Sequence, residues 1–148
     1  MNFHSSFIKG YYNIVMEKSN ILLLLTPKNE LKLLDNTMCL RQAVEKMRAH
    51  EYLAVPVINK KTGEYLGSIS QGDLLWTIVD DEQAMDKKGS ITKLIRKDYC
   101  PAVKVDADIE ELLNLVMVQN FVPVVDDRNV LMGIVTRRRV INELLNIN

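Results

Sequence analysis

The sequence predicts an α/β protein in which two copies of one small unit pack as a pseudo-two-fold pair. Pro56 and Pro123 lie in matching apolar strings, and Gly67 and Gly133 lie at matching places in the apolar string that follows each. Before each proline, apolar residues recur at helical spacing. The chain therefore repeats a local structure and not only a composition.

Each copy is expected to run strand, helix, strand, strand, helix. Val- and Ile-rich runs separated by a polar turn predict a hairpin, and the apolar stripes predict helices that begin near Leu40 and Ile109. Asp108, followed three residues later by Glu111, predicts a capping box at the second of these helices. The initial strands and final helices are expected at residues 31–34 and 74–79, and at residues 102–105 and 140–145.

The same repeat predicts how the chain is divided. Residues 20–80 form the first copy and residues 91–148 the second, with an extension at residues 1–19 and a charged linker at residues 81–90. One such unit is too small to bury both its sheet and its helices. The two copies are therefore expected to pack on each other.

Charge and composition exclude several classes of function. The 148 residues include 19 Lys and Arg and 19 Asp and Glu, so there is no overall basic field for nucleic acid. No apolar run approaches the roughly 20 residues of a membrane helix, and a cytoplasmic location is expected. Cys39 and Cys100 are too few and too far apart for a thiolate metal site. With no nucleophile beside a spaced base, no catalytic residue, metal or cofactor is predicted.

A short string ends the last strand of the first copy. Residues 67–73 read GSISQGD, in which Ser70 and Asp73 carry the hydroxyl and the carboxylate. A strand end that runs into a helix start offers free backbone N–H groups and a favourable dipole to an anion. With this string and the repeat, nearly the whole chain resembles the tandem CBS module, named after cystathionine β-synthase. The resemblance implies an adenine nucleotide between the repeats, with Ser70 and Asp73 contacting phosphate and ribose.

The second copy departs from this pattern. Residues 133–139 read GIVTRRR, with Arg139 in place of the acid. Arginine favours phosphate instead of ribose, and consecutive helical residues point in different directions. We expect Arg137 and Arg138 to reach the cleft and Arg139 to face solvent. Together with a shorter first helix, this string resembles small stand-alone bacterial CBS proteins that bind cyclic di-AMP.

The resemblance also implies where the base binds. The adenine would lie near the chain before each central strand, and Tyr52 or Phe121 either stacks on it or belongs to the core. The predicted nucleotide-binding residues are Lys32, Tyr52, Ala54, Val55, Pro56, Ser70, Asp73, Ala102, Val103, Phe121, Val122, Pro123, Thr136, Arg137 and Arg138.

The expected function is a regulatory sensor and not an enzyme. The ligand is AMP, ADP or ATP if Ser70 and Asp73 bind it, or cyclic di-AMP if Thr136, Arg137 and Arg138 do. No fused effector domain is expected, so the output is expected to pass to a separate, unidentified protein. The alternative is a dimeric scaffold without a ligand. Homodimer contacts, typical of the family, are expected at Leu74, Leu75, Ile78, Val140, Ile141 and Leu144, with Trp76 at an interface or in the core.

Overall fold

The computed structural model describes residues 20–50 and 52–145, so the predicted extension at residues 1–19 lies outside it. Within these described residues, five α-helices span Ile21–Leu24 (α1), Leu40–His50 (α2), Gln71–Asp80 (α3), Ile109–Val116 (α4) and Arg137–Leu145 (α5). Seven strands span Thr26–Pro27 (β1), Leu34–Asp35 (β2), Ala54–Ile58 (β3), Tyr65–Ser70 (β4), Val103–Lys104 (β5), Phe121–Val125 (β6) and Leu131–Thr136 (β7). Short 3₁₀ turns lie at Lys28–Glu30, Ala84–Asp86 and Ile91–Leu94.

Two sheets with the same arrangement confirm the predicted α/β fold of two repeats. One sheet has the order β2-β3-β4 and the other the order β1-β7-β6-β5. In each repeat the initial strand is parallel to the central strand, with Leu34 opposite Val57 and Val103 opposite Val124. The central and last strands form an antiparallel hairpin. The initial strands are shorter than predicted, because only two residues of each pair with the sheet.

The first helix of each repeat covers its sheet with the predicted apolar stripe. In α2, Leu40, Ala43 and Met47 are buried, and in α4 the buried residues are Leu112, Leu113 and Val116. Helix α2 has 11 residues and α4 has eight, so the shortening read from the sequence is present.

The capping box lies at a different helix from the one predicted. Asp108 is the N-cap of α4, but its exposed side chain makes no capping hydrogen bond, so the prediction at Asp108 and Glu111 is wrong. The Ser70 side chain instead accepts a bond from the Asp73 N–H, and the Asp73 carboxylate accepts one from the Ser70 N–H. This box extends α3 back to Gln71, earlier than the predicted start at residue 74.

The segments that lead into the repeats are exchanged between them. Strand β1 lies near the start of the first repeat but pairs with β7 of the second, with Thr26 opposite Ile134. Arg96 lies near the start of the second repeat but forms a bridge with Ser68 in the first. Ile21 and Leu24 accordingly lie in the core of the second repeat, and Ile91 lies in that of the first. The exchange ties the two units together.

A second connection joins the hairpin turns. The Tyr65 N–H donates to the Asn129 carbonyl at 2.9 Å, and the Leu131 N–H donates to the Gly63 carbonyl at 3.0 Å. Gly63 and Asn129 both have a positive φ, of 76° and 63°, which glycine and asparagine adopt at low cost. These reciprocal bonds follow the pseudo-two-fold relation of the repeats.

The exposure of the final helices corrects part of the predicted dimer surface. Leu74 and Val140 are each 5% exposed and belong to the cores of their own repeats. They face inward because each lies one turn after the end of a buried strand, so the prediction that they form a dimer surface is wrong. Leu75, Ile141 and Leu144 are exposed.

We expect the Asp126 carboxylate to contribute to acid sensitivity. It accepts the Val130 and Arg128 N–H groups at 2.9 Å each, and these bonds, with the nearby Arg128 guanidinium, lower its pKa in the folded protein. A lowered pKa stabilises the fold above the unfolded pKa of about 3.9, and that stability is lost as pH falls through the folded value. The Asp126→Asn variant should therefore lose less unfolding free energy than the wild type between pH 5 and pH 2, measured by urea denaturation.

Two other residues serve as comparisons for the Asp126→Asn variant. Asn59 accepts backbone bonds at the same place in the first hairpin, so asparagine is compatible with this turn. Asp127 is the next residue and is exposed, so the Asp127→Asn variant removes the same charge from the same turn and serves as the charge control. Equal acid sensitivity of the Asp126→Asn variant and the wild type would contradict the assignment.

Candidate functional site

An open cleft of about 600 Å³ lies between the two repeats. The first repeat contributes the chain before β2, at Leu31 to Leu33, and the chain that enters β3, from Tyr52 to Pro56. The second repeat contributes the end of β7 and the start of α5. Most of the wall is apolar, as in sites that accept a planar base.

The polar end of the cleft is built where β7 runs into α5. The Thr136 Oγ1 accepts the Arg139 N–H at 3.1 Å and so satisfies one of the free donors at the helix start. Arg137 is held by its Nε, which donates to the Val116 carbonyl at 2.6 Å. Thr136, Arg137 and Arg138 all line the cleft, so the positive end of the helix dipole and two basic residues lie at this part of it.

The charged residues that line the cleft are all basic. Its charged lining residues are Lys32, Arg137 and Arg138, and no described Asp or Glu lines it. Among the residues that the structure describes, neither the Lys32 nor the Arg138 side chain forms a hydrogen bond or an ion pair. An anion entering the cleft would therefore meet cations that need not leave another partner.

The aromatic residues of the cleft differ in their packing. Phe121 is 7% exposed and packs into the wall. Tyr52 is half-buried, and the His50 ring stacks on it with 5.5 Å between the ring centroids. Tyr52 is therefore the aromatic residue with more free surface for a ligand.

The structure brings a large part of the predicted set together in this cleft. These residues are Lys32, Tyr52, Ala54, Val55, Pro56, Phe121, Thr136, Arg137 and Arg138. Arg139 does not line the cleft and donates to the Leu23 carbonyl at 3.4 Å.

The other predicted residues do not line this cleft. Val103 and Val122 are 1% and 0% exposed and belong to the core of the second repeat, and Pro123 is buried in β6. Ala102 lines a separate, smaller pocket of about 440 Å³. Ser70 and Asp73 bond to each other, and the Arg96 guanidinium lies 3.4 Å from the Asp73 carboxylate.

Several lining residues were not predicted: Leu33, Leu53, Asn120, Ile134 and Ile141. Two of them had a signal in the sequence. Ile134 lies two residues before Thr136 and so shares its face of the strand, and Ile141 lies four residues after Arg137 on the same helix face.

A comparison with family models decides the identity of the fold. The model for the CBS domain matches twice, at residues 28–80 and 92–146. The chain belongs to the CBS-domain family. A curated relative is the uncharacterized protein MJ1225 of Methanocaldococcus jannaschii, 25% identical over 122 residues. The match covers 74% of this chain and 44% of the relative, so the chain spans less than half the length of that relative.

Solved CBS structures have the same fold. A CBS-domain protein from Streptococcus pneumoniae matches with a TM-score of 0.81 and 23% identity, over 96% of both chains. CbpB in complex with c-di-AMP matches with a TM-score of 0.77 and 22% identity, over 95% of both. CBSX2 of Arabidopsis thaliana in complex with AMP matches with a TM-score of 0.68 and 23% identity, over 84% of this chain and 94% of that one. At these identities the likeness shows the fold.

The described CBS pair contains neither a membrane span nor a metal cluster. No helix within residues 20–50 and 52–145 has the length and apolar character needed to cross a bilayer. In the same residues, no group of three or more His, Cys, Asp or Glu side chains is placed to hold a metal ion.

Proposed function

We propose that this CBS pair is a regulatory module that binds an adenine nucleotide in the open cleft and signals to a separate protein in the cytoplasm. The observation that carries the proposal is the combination, in one cleft, of apolar walls with three basic residues, Lys32, Arg137 and Arg138. A base is planar and largely apolar, and a phosphate carries the charge that these residues complement. The activity proposed is binding, without a chemical step.

A cyclic dinucleotide fits the lining of this cleft better than AMP. A 5′ mononucleotide presents a free ribose diol, which a carboxylate recognises well by accepting two hydrogen bonds. No described carboxylate lines the cleft, since Asp73 lies elsewhere and Arg139 stands at the matching place in the second repeat. Cyclic di-AMP has no free diol and carries two phosphodiesters. Its presence in CbpB, a structural neighbour, supports the same choice.

Binding would act through the orientation of the repeats. The cleft takes its walls from both repeats, so a nucleotide adds contacts between them and favours one arrangement over others. The shift seen by a partner protein is limited by the difference in affinity for the two arrangements.

A second copy of the chain is the partner we propose for the exposed apolar face of α3. Leu75, Trp76 and Val79 are 54%, 62% and 58% exposed, and Leu144 on α5 is 38% exposed. Neighbouring apolar side chains of this size are typical of an interaction surface. This face supports the alternative function, a dimeric scaffold, if the cleft takes no nucleotide.

A thermal-shift panel tests the proposal. AMP, ADP, ATP and cyclic di-AMP would each be added at about 1 mM, and cyclic di-AMP is expected to raise the unfolding midpoint most. A ligand at about 100 times its dissociation constant adds roughly 2.7 kcal/mol to the unfolding free energy, or a rise of several degrees. No rise with any nucleotide would refute the nucleotide-binding function and leave the scaffold. A rise with AMP alone would refute the choice of a cyclic dinucleotide.

A further inference from the structure

The pseudo-two-fold relation defines a second cleft whose residues can be matched to those of the open one. The register of the initial and central strands relates Lys32 to Pro101 and Tyr52 to Gln119. The hairpin register relates Thr136 to Ser70. Each of these residues of the open cleft therefore has a counterpart in the second cleft.

At the place of Tyr52, the second cleft holds a buried amide. Gln119 is 7% exposed, and its Nε2 donates to the Pro101 carbonyl at 3.1 Å and to the Phe121 carbonyl at 2.9 Å. These bonds join the chain before β5 to the start of β6. In the open cleft the matching segments, Leu31 to Leu33 and Tyr52 to Pro56, both line the wall.

The floor of the second cleft is filled in the same way. The Tyr65 hydroxyl donates to the Cys100 carbonyl at 2.6 Å and lies 2.9 Å from the Ser68 hydroxyl. Ser68 is 0% exposed, whereas Ile134 at the matching place lines the open cleft. Burial raises the pKa of Tyr65, so its hydroxyl keeps its proton and its bond at neutral pH.

The polar end of the second cleft is also engaged. The Arg96 guanidinium lies 3.4 Å from the Asp73 carboxylate and 4.2 Å from the centre of the Tyr99 ring. The second oxygen of Asp73 accepts both the N–H and the hydroxyl of Ser70 at 2.8 Å. The two residues expected to bind phosphate and ribose are thus bonded within the protein.

We infer that the second cleft is occupied by the protein's own side chains, with Gln119 as its internal occupant, and that each chain takes no more than one nucleotide. The inference rests on the proposed function and deepens it by assigning the stoichiometry and the residue that sets it. A nucleotide that takes the place of the Gln119 amide in the second cleft would have to break both Gln119 bonds. Among the described residues, the side chains of Lys32 and Tyr52, at the matching places of the open cleft, form no such bonds.

Two measurements on the wild-type protein test this inference. Isothermal titration with cyclic di-AMP, and separately with AMP, should give a stoichiometry no greater than one per chain. Side-chain amide exchange by NMR, without nucleotide, should be roughly 100-fold slower for Gln119 than for an exposed amide, because exchange requires the buried cleft to open. Gln71 is the matched reference, since its Nε2 also donates to a carbonyl, that of Tyr52 at 2.8 Å, but it is exposed.

The outcomes separate the inference from the proposed function. A stoichiometry near two with either nucleotide, or equally fast exchange of the Gln119 and Gln71 amides, would overturn the internal occupant. If neither nucleotide releases heat, the proposed function fails, and the Gln119 exchange rate alone decides whether the second cleft is closed.

Discussion

Replacing Gly133 by alanine is expected to destabilise the protein by about 3 kcal/mol, the upper part of the range for overpacking. A Cβ at this position would lie 2.2 Å from the Thr26 carbonyl oxygen and 2.9 Å from the Leu25 side chain. The first contact is with backbone, which cannot rotate away, so β1 would have to separate from β7. Chemical denaturation of the purified variant measures the loss.

Gly89 supplies the control for this substitution. A Cβ added there meets no atom within 4 Å, so the Gly89→Ala variant should stay within about 0.5 kcal/mol of the wild type. Gly67 holds the matching place in the first repeat, where a Cβ would lie 2.7 Å from the Arg96 carbonyl oxygen, and its φ of 139° adds strain. If the Gly133→Ala variant were as stable as the Gly89→Ala variant, the close pairing of β1 with β7 would be wrong.

The fold was accessible from the sequence because the two units repeat the residues that local geometry requires. Gly67 and Gly133 are the clearest case: each lies where another segment of backbone approaches the last strand. Pro56 and Pro123 likewise lie at matching places in β3 and β6. Two independent copies of one pattern make the element order far more certain than either copy alone.

The exchange of the leading segments was not accessible in this way. Residues 21–27 read as a short apolar run before a proline, and nothing local states which repeat they will contact. The choice depends on the space above β7, which Ile21 and Leu24 fill, and this is a tertiary property. The capping box was misplaced for a related reason, because Asp108 has the residue type but its side chain does not turn back to the helix.

The sequence predicted the kind of candidate site, a cleft between the repeats, but not which repeat would supply its polar residues. From the sequence, Ser70 with Asp73 and Thr136 with Arg137 and Arg138 were alternative candidates, each for a different nucleotide. In the structure, the two candidate sets differ because of residues that belong to no motif, above all Gln119. The Gln119 side chain donates to two backbone carbonyls, those of Pro101 and Phe121. Every residue has a backbone carbonyl, so the amino-acid sequence does not indicate which carbonyls accept a side-chain hydrogen bond. The difference between the two clefts is therefore visible only in the three-dimensional structure.

Removing the Arg138 guanidinium should weaken the binding of cyclic di-AMP by roughly 10- to 100-fold. A hydrogen bond to a charged group contributes about 1.5–3 kcal/mol, and each 1.4 kcal/mol is about tenfold in affinity. Arg138 lines the open cleft, and among the described residues it has no competing partner. The Arg138→Ala variant is therefore expected to fold normally and to lose affinity, measured by isothermal titration at fixed ionic strength.

Arg139→Ala is the matched control, because it removes the same charge from the next residue of the same helix. Arg139 lies outside the cleft lining and contacts the Leu23 carbonyl at 3.4 Å. Both variants change the net charge equally, so a long-range electrostatic effect would weaken binding in both and would be screened by salt. A direct phosphate contact would weaken binding only in Arg138→Ala. Equal losses in the two variants would mean that the nucleotide does not contact Arg138, and that the positive end of this cleft attracts its ligand without holding it.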